Sequence, residues 1–122
     1  MPAEPDEWLR FAEADLAAAL LLIDDRELPP RIACFHAQQA AEKALKAAIV
    51  ASGTPIPRVH DLLALVGLAS DRVTSGLASL DLSALHPWAV DARYPGDLPD
   101  VSHEEGRLLI DVAAQSVAII RA

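Results

Sequence analysis

His36, Gln39 and Lys43 recur at three- and four-residue steps, so a helix from about Arg31 to Ser52 would carry all three on one face. An imidazole can move a proton near neutral pH, an ammonium neutralises an anion, and a carboxamide both donates and accepts. That set suits contact with a nucleotide, an RNA strand or a polar protein surface. Projection at 100° per residue puts Cys34, Ala37, Ala41, Ala44, Leu45 and Ala48 on one side. His36, Gln39, Glu42, Lys43 and Lys46 fall on the other. A plainly solvated polar side is the alternative reading. Phe35 argues for more, because a lone aromatic on the polar side exposes apolar area that a second surface would cover. Asp15 stands at the border of an apolar stripe in the preceding segment, where a carboxylate needs a cation or N–H donors, and Lys43 or Arg93 would supply one. Arg93 and Tyr94, beside Pro95, offer a planar fork of donors suited to phosphate and a ring suited to stacking. If Arg93 is instead the partner of Asp15, the same pair ties a loop to the body of the protein. His60-Asp61 opens a later segment, where the aspartate is placed to cap a helix.

Other chemistries find less support. The four histidines, His36, His60, His86 and His103, form no His-x-x-x-His pair and no cluster with cysteine, so no metal site is expected. No glycine-rich phosphate loop is present, and no cofactor is expected. Cys34 is the single cysteine, which excludes an internal disulfide and reads as a small core side chain.

The elements that must position these residues are helices. Breakers gather around residues 29–30, 55–57 and 95–99, leaving long uninterrupted stretches between them. Asp6 is placed to cap a first helix ending near Asp24–Arg26, with Trp8, Ala12, Leu16, Ala19, Leu20 and Ile23 as its apolar stripe. Pro29 and Pro30 precede the second helix and Gly53 suits its C-terminal turn. A short turn between two long helices predicts antiparallel packing. A shorter helix restarts near His60 and runs to about Ala69, and residues 71–92 form one or two weaker pieces around Leu77, Leu80, Leu82 and Leu85, interrupted or capped by Asp81. Ser102-His103-Glu104-Glu105 is a capping box for a last helix to about Arg121, with Leu108, Leu109, Val112, Ser116 and Ile120 along one side. The expectation is an all-α, up-and-down bundle of four to five helices, residues 1–122 forming one domain.

Composition agrees. Alanine and leucine outnumber β-branched residues, which disfavours a sheet, and 52% hydrophobic residues suffice for one core in 122 residues. A formal charge of −8 opposes generic attraction to nucleic acid, so RNA or nucleotide binding would need a local basic patch. The start MPAEPDEW lacks a secretory pattern, and the apolar runs Ala17–Ile23 and Ala44–Ala51 are far short of the roughly 20 residues that cross a bilayer. A cytoplasmic protein without membrane contact is the expectation.

The run Phe35-His36-Ala37-Gln38-Gln39-Ala40-Ala41-Glu42-Lys43-Ala44-Leu45-Lys46-Ala47 resembles the HEPN family. So do His60-Asp61-Leu62 after a proline-containing loop, Ala92-Arg93-Tyr94-Pro95 before the last helix, and Trp8 with Ala14-Asp15-Leu16 in the first. The likeness spans roughly residues 8–120 in the same order. It implies a helical bundle, frequent homodimerisation, here with Phe35 at the interface, and a link to nucleotidyltransferase-domain partners in prokaryotic, toxin–antitoxin-like systems. Some relatives are metal-independent ribonucleases that use an Arg and a His four to six residues apart near the C-terminal helix. Arg93 and His103 have nine residues between them, and Arg107 follows His103 in reverse order. Arg31 and His36 have the spacing but begin the second helix, which leaves them weak catalytic candidates. The leading expectation is a binding module in which His36, Gln39, Lys43, His60, Arg93 and Tyr94 contact nucleotide, RNA or a partner. A ribonuclease toxin and a purely structural interaction protein are the alternatives.

Overall fold

The computed structural model describes residues 3–89 and 99–122. Helix α1, Pro5–Asp24, starts at a proline whose fixed φ is already helical, and the Glu7 carboxylate accepts from the Glu4 backbone N–H at 3.2 Å. The cap thus lies two residues before Asp6, which sits inside the first turn. Helix α2, Pro30–Ala51, opens on the second of the paired prolines and is followed by Gly53 at φ +78°, a left-handed turn that glycine adopts without steric cost. Helix α3, Leu62–Val66, is shorter than the expected span; the Asp61 carboxylate caps it by accepting from the Leu63 N–H at 3.0 Å. Helix α4, Asp71–Leu77, and a 3₁₀ segment, Leu82–Trp88, follow. Helix α5, His103–Arg121, begins with the expected box: Ser102 Oγ accepts from the Glu105 N–H at 3.0 Å, and Glu105 accepts from the Ser102 N–H at 3.1 Å.

Ion pairs give the direction of the long helices. Going along α2, His36 meets Asp15, Lys43 meets Asp15 and Phe11, and Lys46 meets Trp8 of α1, so these two helices run antiparallel with their middles in register. Asp24 pairs with Arg107 at 2.5 Å and Glu13 with Arg121 at 2.5 Å, so α5 is also antiparallel to α1 and hence runs parallel to α2. The chain must therefore travel back between Ala51 and His103, and α3, α4 and the 3₁₀ segment make that return. The Arg72 guanidinium from α4 donates to the Ile119 and Ile120 carbonyls at 2.9 and 3.2 Å, supplying partners for carbonyls that a helix end leaves unpaired.

α2 is the central helix, packed by α1, α5, α3 and the 3₁₀ segment. Ala12, Ala19 and Ile23 of α1 meet it in the core, whereas Leu20, expected in the same stripe, is half exposed because it lies at the rim of the arc facing α5. The core side of α5 is Ile110, Ala113, Ser116, Val117 and Ile120. Of the expected stripe, Ser116 and Ile120 are buried, Leu109 and Val112 are partly covered, and Leu108 is 66% exposed. Apolar residues cover a broad arc of α5, and contact with α1 and α2 selects one edge of that arc. Among the described residues, no helix is long and apolar enough to cross a membrane.

Cys34 is buried in this core, and burial, reinforced by the Glu105 carboxylate, pushes its thiol up to about 11. Thiolate is the reactive form, so alkylation by iodoacetamide at neutral pH is expected to be slow in the folded chain and fast in urea. Equal rates in the two conditions would show that Cys34 is accessible.

Candidate functional site

The polar residues singled out on α2 form two clusters, one at its seam with α1 and one beneath the loop before α3. In the first, Asp15 Oδ1 lies 2.9 Å from His36 Nδ1, and Oδ2 accepts from the Lys43 ammonium. The border position of Asp15 is resolved by Lys43, one of its two expected partners. Because a carboxylate only accepts, His36 must carry its proton on Nδ1, which makes Nε2 of the neutral ring an acceptor. Asp15 retains 13% of its side-chain exposure, and His36 30%.

The second cluster centres on Glu42, which the helix projection placed on the polar side but whose side chain is 4% exposed. Its carboxylate accepts from Lys46 Nζ at 3.1 Å and Gln38 Nε2 at 3.1 Å, and His60 Nδ1 stands 3.1 Å from both oxygens. Gln38 Nε2 also reaches the His60 carbonyl at 3.4 Å, and Gln39 Nε2 donates to Gln38 Oε1 at 2.8 Å. Since Glu42 and the His60 carbonyl are both acceptors, the Gln38 amide has to present its NH₂ to them. The loop before α3 covers Glu42, and the carboxylate is tolerable there because each oxygen is met by donors.

Two aromatic rings flank the first cluster. Phe11, 62% exposed, lies 5.9 Å from the Lys43 ammonium, and Phe35, 37% exposed, meets the His36 ring edge-on at 5.2 Å. Trp8 lies 5.7 Å from the Lys46 ammonium. The seam thus consists of Phe11 and Phe35 on either side of a half-buried Asp15–His36–Lys43 group, with the Glu42 cluster beside it.

His36, Gln39, Lys43 and His60 are accordingly brought onto one continuous polar seam. Arg93 and Tyr94 fall outside the described residues. Arg31 is exposed, and five residues along a helix separate it from His36 by roughly 140° around the axis, so one copy of α2 does not aim them at a common point. Gln38, Glu42, Lys46 and Phe11 belong to the seam although the motif reading gave them no role. Gln38 and Glu42 recur at i and i+4, a spacing at which their pairing could have been anticipated. Among the described residues, no group of three His, Cys, Asp or Glu could hold a metal ion. A surface hollow of about 270 Å³, lined in part by Leu9, Ala48, Arg72 and Ile120, holds none of the seam's polar side chains. The seam is an open face in which both lysines are already engaged by carboxylates.

The comparisons with known proteins agree with this architecture. The chain is similar to the crystal structure of TT1696 from Thermus thermophilus, with 26% identity, a TM-score of 0.79 and coverage of 96% of this chain and 95% of that one. It also shares the fold of ST0689, described as an archaeal HEPN homologue, at 20% identity and a TM-score of 0.70, over 98% of this chain and 97% of that one. No curated protein sequence gives a significant match. The HEPN domain profile matches residues 5–121, nearly the whole bundle, and on that match the chain belongs to the HEPN domain family.

Proposed function

We propose that this HEPN domain is a non-catalytic binding module whose α1–α2 seam docks a protein partner, a nucleotidyltransferase-domain protein in a toxin–antitoxin-like pair. The observation that carries this reading is the pair of exposed rings, Phe11 and Phe35, around a polar group whose charges are already internally matched. Exposed aromatic area beside satisfied polar groups suits a protein interface, where aromatic anchors supply most of the energy and charges at the rim supply orientation. Nucleotide and RNA are the other ligands that the seam residues suggest, but a phosphate would compete with Asp15 for Lys43 and with Glu42 for Lys46. The net charge of −8 opposes its approach as well.

Incubating the purified chain with labelled ATP, with labelled RNA, and with a nucleotidyltransferase-domain protein from the same genome separates these readings. Capture of that protein, weakened at least about tenfold by Phe11→Glu or Phe35→Glu, is the expected result for anchor residues. Binding or cleavage of RNA, or salt-sensitive binding of ATP lost in Lys43→Ala, with the partner protein not retained, would overturn the proposal in favour of a nucleotide site or a ribonuclease.

A further inference from the structure

The two carboxylates, Asp15 and Glu42, fix the direction of the polar hydrogens around them, and the effect can be followed outward to the surface. Asp15 only accepts, so His36 turns its Nδ1 hydrogen to it and leaves a lone pair on Nε2 of the neutral ring; His60, with Nδ1 against Glu42, does the same. Glu42 and the His60 carbonyl claim the NH₂ of Gln38, whose Oε1 then accepts from Gln39 Nε2 at 2.8 Å. Gln39 is left with its own carbonyl oxygen unpaired. Among the described residues, His36 Nε2, His60 Nε2 and Gln39 Oε1 have no partner, and the buried atoms without one are Trp8 Nε1 and His103 Nε2, so these three open to solvent. They make a face of acceptors. The two lysines beside it are engaged: Asp15 and Glu42 match Lys43 and Lys46, and the rings of Phe11 and Trp8 lie against the ammonium groups.

We propose that this face takes the guanidinium of an arginine on the docking partner, an inference that rests on the protein-docking reading above and names the side chain it needs. A guanidinium carries five N–H donors and no acceptor, the inverse of what the face presents. His36 and Gln39 stand three residues apart on α2, their Cβ atoms roughly 5–6 Å from each other, a separation that a planar fork of donors can straddle. The exposed rings of Phe11 and Phe35 add surfaces on which a guanidinium stacks and its methylene stem packs. Charge points the same way. The local ion pairs cancel, so a further cation meets no net positive charge, and the chain's −8 draws it in. A phosphate brings acceptors to a face of acceptors. A lysine ammonium is a compact point charge without the planar surface that stacks on a ring.

The test is a nuclear magnetic resonance titration of the isotope-labelled full chain at about pH 8, where imidazoles are ordinarily neutral, with a blocked tripeptide carrying arginine between two leucines. Saturable binding with a Kd on the order of 1 mM is expected for one anchored side chain, the Nε2 resonances of His36 and His60 and the side-chain amide of Gln39 shifting together. Replacing the arginine by citrulline, which keeps the shape but loses the charge, or by lysine should weaken binding by about tenfold or more. His36→Asn keeps an N–H for Asp15 and removes the outward acceptor, and Gln39→Lys keeps a donor for Gln38 and sets a cation in the site. Both variants should retain the circular dichroism of the unaltered chain and lose the arginine peptide by about tenfold or more. The three-peptide comparison on the unaltered chain does not depend on how the variants fold. Equal binding of the arginine and lysine peptides would show a general attraction to an acidic chain and overturn the proposal. No binding up to about 20 mM, or the same resonances moving with inorganic phosphate instead, would overturn it too. Capture of the partner protein through Phe11 and Phe35 without any response to arginine would leave the docking reading standing and remove this one. Arginine binding without capture of a nucleotidyltransferase-domain protein would do the reverse.

Discussion

Glu42→Ala is expected to destabilise the fold by roughly 3–5 kcal/mol, the range for breaking a buried ion pair from one side. The loss comes from what the substitution strands. Lys46, 12% exposed, would keep an ammonium without its carboxylate, and Gln38, fully buried, would keep an N–H with no acceptor at 3.1 Å. His60, 39% exposed, can turn to water, but its Nδ1 contact is one of two that hold the loop before α3 onto α2, the other being the Gln38 bond to its carbonyl. Replacing the set together, with Gln38→Leu, Glu42→Leu and Lys46→Met, should recover part of the stability, because the buried charges go together and the groups that lose a partner, on His60 and Gln39, are the less buried ones. Urea denaturation with an unchanged slope measures both effects. A loss below about 1 kcal/mol for Glu42→Ala would mean that water reaches the cluster and that it behaves as a surface network.

Leu45→Ala is expected to cost about 2–5 kcal/mol, in the upper half of that range. Leu45 is completely buried on the helix that every other long element packs against, so its removal opens a cavity in the middle of the bundle. The neighbouring core positions on α2, Ala41, Ala44 and Ala48, have no torsions with which to swing into the space, so little of it can close by side-chain movement. Leu45→Met, which keeps the volume, should cost less than about 1.5 kcal/mol. A denaturation midpoint unchanged in Leu45→Ala would place the residue outside the core.

The sequence is informative where one helix or one end of a helix decides the outcome. The capping box at Ser102 and Glu105 and the break at Gly53 are local devices, and each appears where its residues stand. Asp15 is a longer-range case: a carboxylate on an apolar border requires a cation, and Lys43 is the one that meets it. Periodicity misleads where a second element decides. Glu42 lies on the polar side of α2 considered alone, and only the proline-bearing loop that brings His60 over it makes it buried; such a loop has no periodicity to read. The side of α5 that turns inward is likewise set by α1 and α2, leaving Leu108 outside. At α1, Pro5 starts the helix before Asp6 can cap it. The candidate seam is therefore half legible. His36, Gln39, Lys43 and His60 are visible as a polar set and the i,i+4 contacts of Gln38 and Lys46 with Glu42 are latent in the spacing of α2, whereas Phe11 joins from α1 through a contact that a projection of α2 does not contain.

Seven of the twelve buried positions on α2 are alanine: Ala33, Ala37, Ala40, Ala41, Ala44, Ala47 and Ala48. Ordering an alanine freezes no rotamer, so immobilising the central helix costs little beyond its backbone entropy. The seam's polar groups consequently stand on a rod whose packed sides have almost no alternative side-chain states to visit. Asp15, Glu42 and their donors can then be held at hydrogen-bond distance by the spacing of two backbones, and a docking partner would meet a surface already in shape, with little further conformational freedom to lose on binding.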